Sequence, residues 1–301
     1  MPLKNNMEKT LPATEMSNPK TAHLDQLSPR ALACVFNAQD FNAARAVKHA
    51  GKEIAAAIIL AAQAYATKHK IIFIGAGTSG RLGILEAAEC VPTFGTKPSQ
   101  IIGLIAGGKK AVFRAQEGAE DNAAQGAKEI AQKAHAQDLV IGLAASGNTP
   151  YVQGALKKAQ QIGAQTVLIS CNPAADISYT NLHIFLPTGP EALTGSTRLK
   201  AASATKMTLN AITTGAMTLC GKTYGNLMVD VKPTNQKLVA RAVRLICTLT
   251  HTDEKTARNL LARSGNHVKT AVVMHHKKCS RVQAEKLLRK ANGFLAGALH
   301  A

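Results

Sequence analysis

Residues 71–80 read IIFIGAGTSG, and this stretch decides the fold. Ile71-Ile72-Phe73-Ile74 is apolar without alternation, as a short strand covered on both faces must be. Gly75-Ala76-Gly77-Thr78-Ser79-Gly80 follows and matches G-x-G-x-x-G, and a helical pattern runs from Arg81 to Cys90. Strand, glycine turn and helix form the unit in which free helix N–H groups and the helix dipole hold a phosphate. A dinucleotide site needs in addition a carboxylate about 20 residues further on, for the ribose. The next apolar run closes instead in Ala106-Gly107-Gly108-Lys109, so the turn favours a smaller phosphate, with Thr78 and Ser79 as hydroxyl donors.

The pattern repeats outward from this unit. Further apolar runs lie at Ile101–Ala106, Leu139–Ala144, Thr166–Ser170 and Leu182–Leu186. Between them fall helical stretches, among them Tyr151 to Gln161, and a long helix spans about Thr197 to Leu219. Short apolar strands alternating with helices specify an α/β fold, a five-stranded parallel sheet with right-handed crossovers. Ligands on such a sheet bind beyond the carboxyl ends of the strands. The second turn there, Ala144-Ala145-Ser146-Gly147-Asn148-Thr149-Pro150, repeats the first: Ser146 and Thr149 suit a helix N-cap and Pro150 the first turn. Two such turns on one sheet point to a phosphate and the sugar that carries it.

Before the sheet, Ser28-Pro29 reads as a helix start, and a second helix runs from about Glu53 to Lys68. Its apolar part, Ile54 to Ala66, is too short to span a bilayer and reads as a buried helix. After Lys237 the pattern is all helical, at Leu238–Thr248, Asp253–Ala262, His267–His276 and Ser280–Lys290. The expected organisation is an N-terminal helical segment over 1–60, a phosphosugar-binding domain over 61–224 and a helical domain over 225–301.

Aromatic residues make up 4% of the chain and Trp is absent, so Ala, Leu, Ile and Val must fill the core. Six scattered cysteines without a CxxC pair exclude a disulfide framework and a zinc ribbon, and they fit a reducing cytoplasm. The first twenty residues are polar and lack the apolar core of a secretory signal. The net charge of +18 concentrates in residues 231–301, where 14 Lys and Arg face Asp253, Glu254 and Glu285. No aromatic–basic interleaving accompanies it, so it reads as a solvated helical surface and nucleic acid is not an expected partner. His183, His251, His275 and His276 show no ligand spacing. Carboxylates are sparse in the middle of the chain, at Glu86, Glu89, Glu117, Glu120, Asp121 and Glu191. Breakers follow Glu89, and a carboxyl half buried at such a helix end would have a raised pKa and could serve as acid or base.

Longer strings carry a resemblance. GAGTSGRLGILEAAEC at 75–90, EGAED at 117–121, AASGNTPYV at 144–152, TGSTRLKA at 194–201 and YGNLMVDV at 224–231 are similar to the N-acetylmuramic acid 6-phosphate etherases. So is the spacing of Thr14-Glu15, Asn18, Thr21 and Asp25, and the likeness runs from about residue 13 to the end. These enzymes share the SIS domain, a three-layer sandwich, with sugar-phosphate isomerases and the glucokinase regulatory protein. The resemblance implies removal of D-lactate from carbon 3 of the sugar phosphate by elimination and then hydration, in cell-wall amino sugar recycling, with no metal or organic cofactor. It assigns Glu89 to protonation of the departing lactate oxygen and Glu120 to proton transfer at carbon 2 or to water. It places phosphate and sugar on Thr78, Ser79 and Gly80 in the first turn and on Ser146, Gly147, Asn148 and Thr149 in the second. Ser196, Thr197 and Lys200 are further contacts to sugar or lactate. It also implies a homodimer and a C-terminal unit like a ubiquitin-associated domain. Asn148 stands where the family has Arg, and Val91 where it has Pro. A non-catalytic phosphosugar sensor would keep the hydroxyl turns without needing the two glutamates.

Overall fold

The structure, a computed structural model, describes residues 11–300. Residues 1–10, on which half of the expectation about a secretory signal rests, and residue 301 lie outside the described residues.

Three short 3-10 turns within Ala13–Gln26 lead into α1 (Pro29–His49) and α2 (Gly51–Ala66). The expected cap is present: Ser28 Oγ accepts from Ala31 N at 3.3 Å, with Pro29 in the first turn. The sheet region then runs β1 (Ile71–Gly75), α3 (Gly77–Phe94), β2 (Ile101–Ile105), α4 (Gly108–Phe113), α5 (Ala123–Lys133), β3 (Leu139–Leu143), α6 (Pro150–Ile162), β4 (Gln165–Ser170), β5 (Leu182–Phe185) and α7 (Lys200–Leu219). The helical end is α8 (Gln236–Thr250), α9 (Glu254–Arg263), α10 (Val268–Lys277), α11 (Arg281–Lys290) and α12 (Leu295–His300).

All five strands pair in parallel in the order β2-β1-β3-β4-β5. The chain leaves β1 toward one edge and returns to β3 on its other side, so a crevice opens between the carboxyl ends of β1 and β3. The register aligns Gly75 with Leu143, and the two turns therefore start at the same level.

Although the strands are apolar throughout, their side chains alternate between two layers. Ile71, Phe73, Leu139, Ile141 and Val167 meet the alanine-rich faces of α1, α2 and α7, where Ala57, Ala61, Ala201 and Ala204 are fully buried. Ile72, Ile74, Val140 and Leu168 meet Tyr151, Val152, Ala155 and Leu156 of α6 and Ile130 of α5. A third core, with Val229 and Val231 at its edge, lies within α8–α12 around Ala242, Ile246, Ala257, Val272 and Ala284. The α/β sandwich with an all-helical C-terminal part is thus the observed architecture.

Two helix starts differ, for a structural reason, from those expected, and one short helix was not expected. The helix placed at Arg81–Cys90 starts at Gly77, directly beyond the strand. A Cβ on Gly75 would lie 2.8 Å from Gly80 N, so only glycine lets the helix begin this close. The long helix starts at Lys200 rather than Thr197, because the buried Glu191 carboxylate accepts from Lys200 N at 3.0 Å and Ala201 N at 2.9 Å and so fixes the first turn from outside it. Burial raises the Glu191 pKa, opposed by these two backbone hydrogen bonds and by Lys200. Helix α12 spans six residues, too few for an apolar period to stand out in the sequence.

Candidate active site

The two turns meet over a cavity of about 400 Å³ at the β1/β3 crevice. On the first side Ala76 precedes α3 without a side-chain cap, and Gly80 N is the first amide to bond back, to Ala76 O at 3.1 Å. The amides of Gly77, Thr78 and Ser79 thus open toward the cavity with the positive end of the helix dipole behind them. Thr78 and Ser79 line the cavity. Gly80 does not: it is buried against Ile105 and Gly75, and its part is to let α3 lie close to the sheet.

On the second side Ser146, Asn148, Thr149 and Pro150 line the cavity. Gly147 does not; it turns the chain at φ +78°, with its amide on Ala144 O at 2.8 Å. Thr149 occupies the N-cap position of α6, but its hydroxyl makes no cap bond. It lies 3.4 Å from Ser146 Oγ, which also accepts from Asn148 N at 3.2 Å. Asn148 Oδ1 accepts from Ala175 N at 3.1 Å, tying this turn to the segment after β4.

Three carboxylates reach the same cavity: Glu120 and Asp121 from a 3-10 turn after Gly118, and Glu15 from the N-terminal segment. That segment is fastened over the sheet end. Thr14 N donates to Asn172 Oδ1 at 3.2 Å, Asn172 Nδ2 donates to Thr14 Oγ1 at 2.7 Å, and Gly195 N donates to Thr14 O at 3.2 Å. Glu15 and Asp121 were not singled out as site residues by the sequence, although both stand inside motifs that carry the family resemblance.

Other expected residues lie elsewhere. Gly195 and Thr197 line the cavity, but Ser196 between them does not. Lys200 is buried away from it: its ammonium donates to Gln39 Oε1 at 3.0 Å and to Pro190 O, beside Glu191. Burial holds the Lys200 ammonium below its ordinary value, opposed by Glu191 and Asp40. Its role is to fasten α1 to the start of α7.

Glu89 is on α3, about 15 Å of helical rise beyond Ser79, and does not line the cavity of its own chain. It is exposed rather than half buried. The buried carboxyl on α3 is Glu86, one turn earlier, which accepts from Asn210 Nδ2 and Thr213 Oγ1 of α7, both at 2.5 Å. Burial raises the Glu86 pKa, opposed by Thr213, Lys206 and Asn210. No helix among the described residues is long and apolar enough to cross a membrane.

Comparison with known proteins extends these observations. Residues 53–160 match the glucokinase regulatory protein N-terminal SIS domain, and residues 225–269 match the C-terminal lid domain of glucokinase regulatory protein. Over most of its length the chain is similar to curated enzymes. It is 49% identical to the N-acetylmuramic acid 6-phosphate etherase of Microcystis aeruginosa, over 96% of this chain and 95% of that protein. It is 48% identical to that of an Exiguobacterium species, over 95% and 98%. It is 46% identical to that of Klebsiella aerogenes, over 95% and 96%. On these matches the chain belongs to the N-acetylmuramic acid 6-phosphate etherase family.

Proposed function

We propose that this protein cleaves the D-lactyl ether of N-acetylmuramic acid 6-phosphate, giving N-acetylglucosamine 6-phosphate and D-lactate. The observation that carries the reading is the convergence of two hydroxyl-bearing turns and Glu120 on one cavity at the sheet's switch point. The open amides of the first turn, with Thr78, Ser79, Ser146 and Thr149, take the 6-phosphate. The sugar reacts as its open-chain aldehyde, whose carbonyl acidifies the proton on carbon 2. A carboxylate takes that proton, the C2=C3 bond forms, and the C3–O bond breaks as the lactate oxygen gains a proton. Water then adds at carbon 3 and a proton returns to carbon 2, restoring the saturated sugar. Each positioned acid or base contributes on the order of 10²–10⁴-fold. Glu120 is the carboxyl at the carbon 2 side.

Glu89 completes the pair from a second copy of the chain. The reading is supported by its exposure together with Leu85 (46% exposed) on α3 and Met207 (40%) on α7, helices joined at Glu86. A two-fold homodimer presents one subunit's Glu89 to the other's cavity, and a non-catalytic sensor would need neither glutamate. The expected segments, 1–60, 61–224 and 225–301, stand as the working domain division. Free cysteines throughout agree with work in the cytoplasm.

The test measures D-lactate released from N-acetylmuramic acid 6-phosphate. E120Q and E89Q should each lose about 10²–10⁴-fold in kcat. Refolding the two variants together should restore about a quarter of the wild-type rate, since half the dimers are mixed and each mixed dimer has one intact site. Lactate release absent from the wild type overturns the activity; no recovery on mixing overturns the shared site.

A further inference from the structure

A smaller cavity of about 200 Å³ adjoins the phosphosugar cavity, and the two share Ala76, Gly77 and Glu120 as walls. Among the described residues, the larger one carries Glu15, Glu120 and Asp121 and not a single lysine or arginine. A phosphate can be held there by amides and hydroxyls. A second anion on the same substrate would meet the carboxylates unopposed. The lactyl arm is such an anion, and it is attached to carbon 3, next to the carbon 2 that Glu120 serves.

Among the described residues, the only lysine or arginine lining either cavity is Arg81, in the smaller one. It stands one turn into α3 from Gly77. Its Nε donates to Val112 O at 2.9 Å, which fixes the plane of the guanidinium. That bond leaves the terminal Nη pair as a fork, and no carboxylate among the described residues forms an ion pair with it. A fixed guanidinium fork matches a carboxylate in a way a lysine cannot. Glu117 and Glu120 also line this cavity, neither of them ion-paired to Arg81, and Ala106, Ala111, Ala115 and Ala119 offer methyl-sized apolar surface around the guanidinium. A cation beside small apolar walls is the complement of a group that carries one carboxylate and one methyl.

We infer that the smaller cavity is the lactyl subsite and that Arg81 is the residue that selects a carboxylate there. This rests on the proposed ether-cleaving activity. Glu120 then lies on the partition between the phosphosugar and its leaving group, where the bond to be broken crosses from one cavity to the other. Arg81 acts by binding and orienting the arm and takes no part in proton transfer.

The test compares N-acetylmuramic acid 6-phosphate with its lactamide, in which an uncharged amide replaces the carboxylate, on wild type, R81Q and R81K. Wild type should prefer the acid by about 50-fold in kcat/KM, a charged hydrogen-bonded pair being lost with the amide. In R81Q that preference should fall to about threefold or less through loss on the acid alone, and R81K should lie between. Equal losses on both compounds in R81Q would mean that Arg81 only props the helix, and they overturn the inference; so does a preference that survives in R81Q. If wild type turns over neither compound, the ether-cleaving reading fails. The subsite is then decided by calorimetric binding of the same two compounds: a carboxylate preference abolished in R81Q upholds it, and equal affinities in wild type overturn it.

Discussion

The two turns at the carboxyl edge of the sheet share a composition and differ in construction. After β1 the chain enters α3 at once, so Thr78 and Ser79 sit in the first turn of a helix and its open amides form the gripping surface. After β3 it makes a true loop, with Gly147 in the left-handed region and Ser146 and Thr149 holding one another, before α6 begins at Pro150. The first turn is made possible by close packing, because Gly75 and Gly80 touch backbone to backbone. The second is made by side-chain hydrogen bonds and by its tie to Ala175. One turn therefore offers dipoles fixed by the helix, and the other offers hydroxyls fixed by neighbours. The helices beyond them are also anchored differently: α3 through the buried Glu86 to α7, and α6 through Tyr151, whose hydroxyl donates to Glu129 Oε2 at 2.7 Å.

Glycine substitutions should separate the two constructions most sharply. A Cβ on Gly80 would lie 2.6 Å from Ile105 Cγ1 and 2.7 Å from Gly75 O. Gly80→Val should cost about 3 kcal/mol or more by overpacking, read as a large fall in Tm, with loss of phosphosugar binding. Gly147→Ala meets Asn172 O at 3.1 Å and requires φ +78°. It should cost about 1–2 kcal/mol, with binding weakened but measurable. Equal costs at the two positions would erase the distinction.

Hydroxyl removal should show a smaller contrast in the other direction. Ser146→Ala takes away both a ligand donor and the group that holds Asn148 and Thr149, so KM should rise about tenfold. Ser79→Ala leaves the helix amides in place and should raise KM only about threefold, both by steady-state lactate release. A larger effect at Ser79 would mean that hydroxyls, not amides, dominate the first turn.

The smallest effect concerns the anchor of α3. Burial holds the Glu86 carboxyl above its ordinary value of 4.5, with Lys206 opposing the shift and Glu89 adding to it. Folding thus favours the protonated form. This contribution is fully present below the unfolded pKa and is lost as pH rises through the folded one. Glu86→Gln removes the titration, so its stability relative to wild type should improve as pH rises above the ordinary carboxyl value of 4.5, read by urea unfolding. A difference that does not vary with pH would show that folding leaves the Glu86 pKa unshifted.

The sequence by itself determined the strands, their parallel pairing, the two turns and the family, because each is written in neighbouring residues: apolar runs, glycines at a turn, motif strings. It also marked Glu120, Thr78, Ser79, Ser146 and Thr149, which the fold gathers at one cavity. What a side chain faces was another matter, since a helix or loop residue takes its direction from whatever packs against it. Only the tertiary structure turned Lys200 inward to Gln39 and Pro190, put Glu86 rather than Glu89 in the interior, and carried Glu89 along α3 away from its own chain's cavity. Only it brought Glu15 across from the N-terminal segment and set Arg81 in a cavity that Glu120 also lines. These placements depend on contacts between segments tens of residues apart, which local periodicity does not encode.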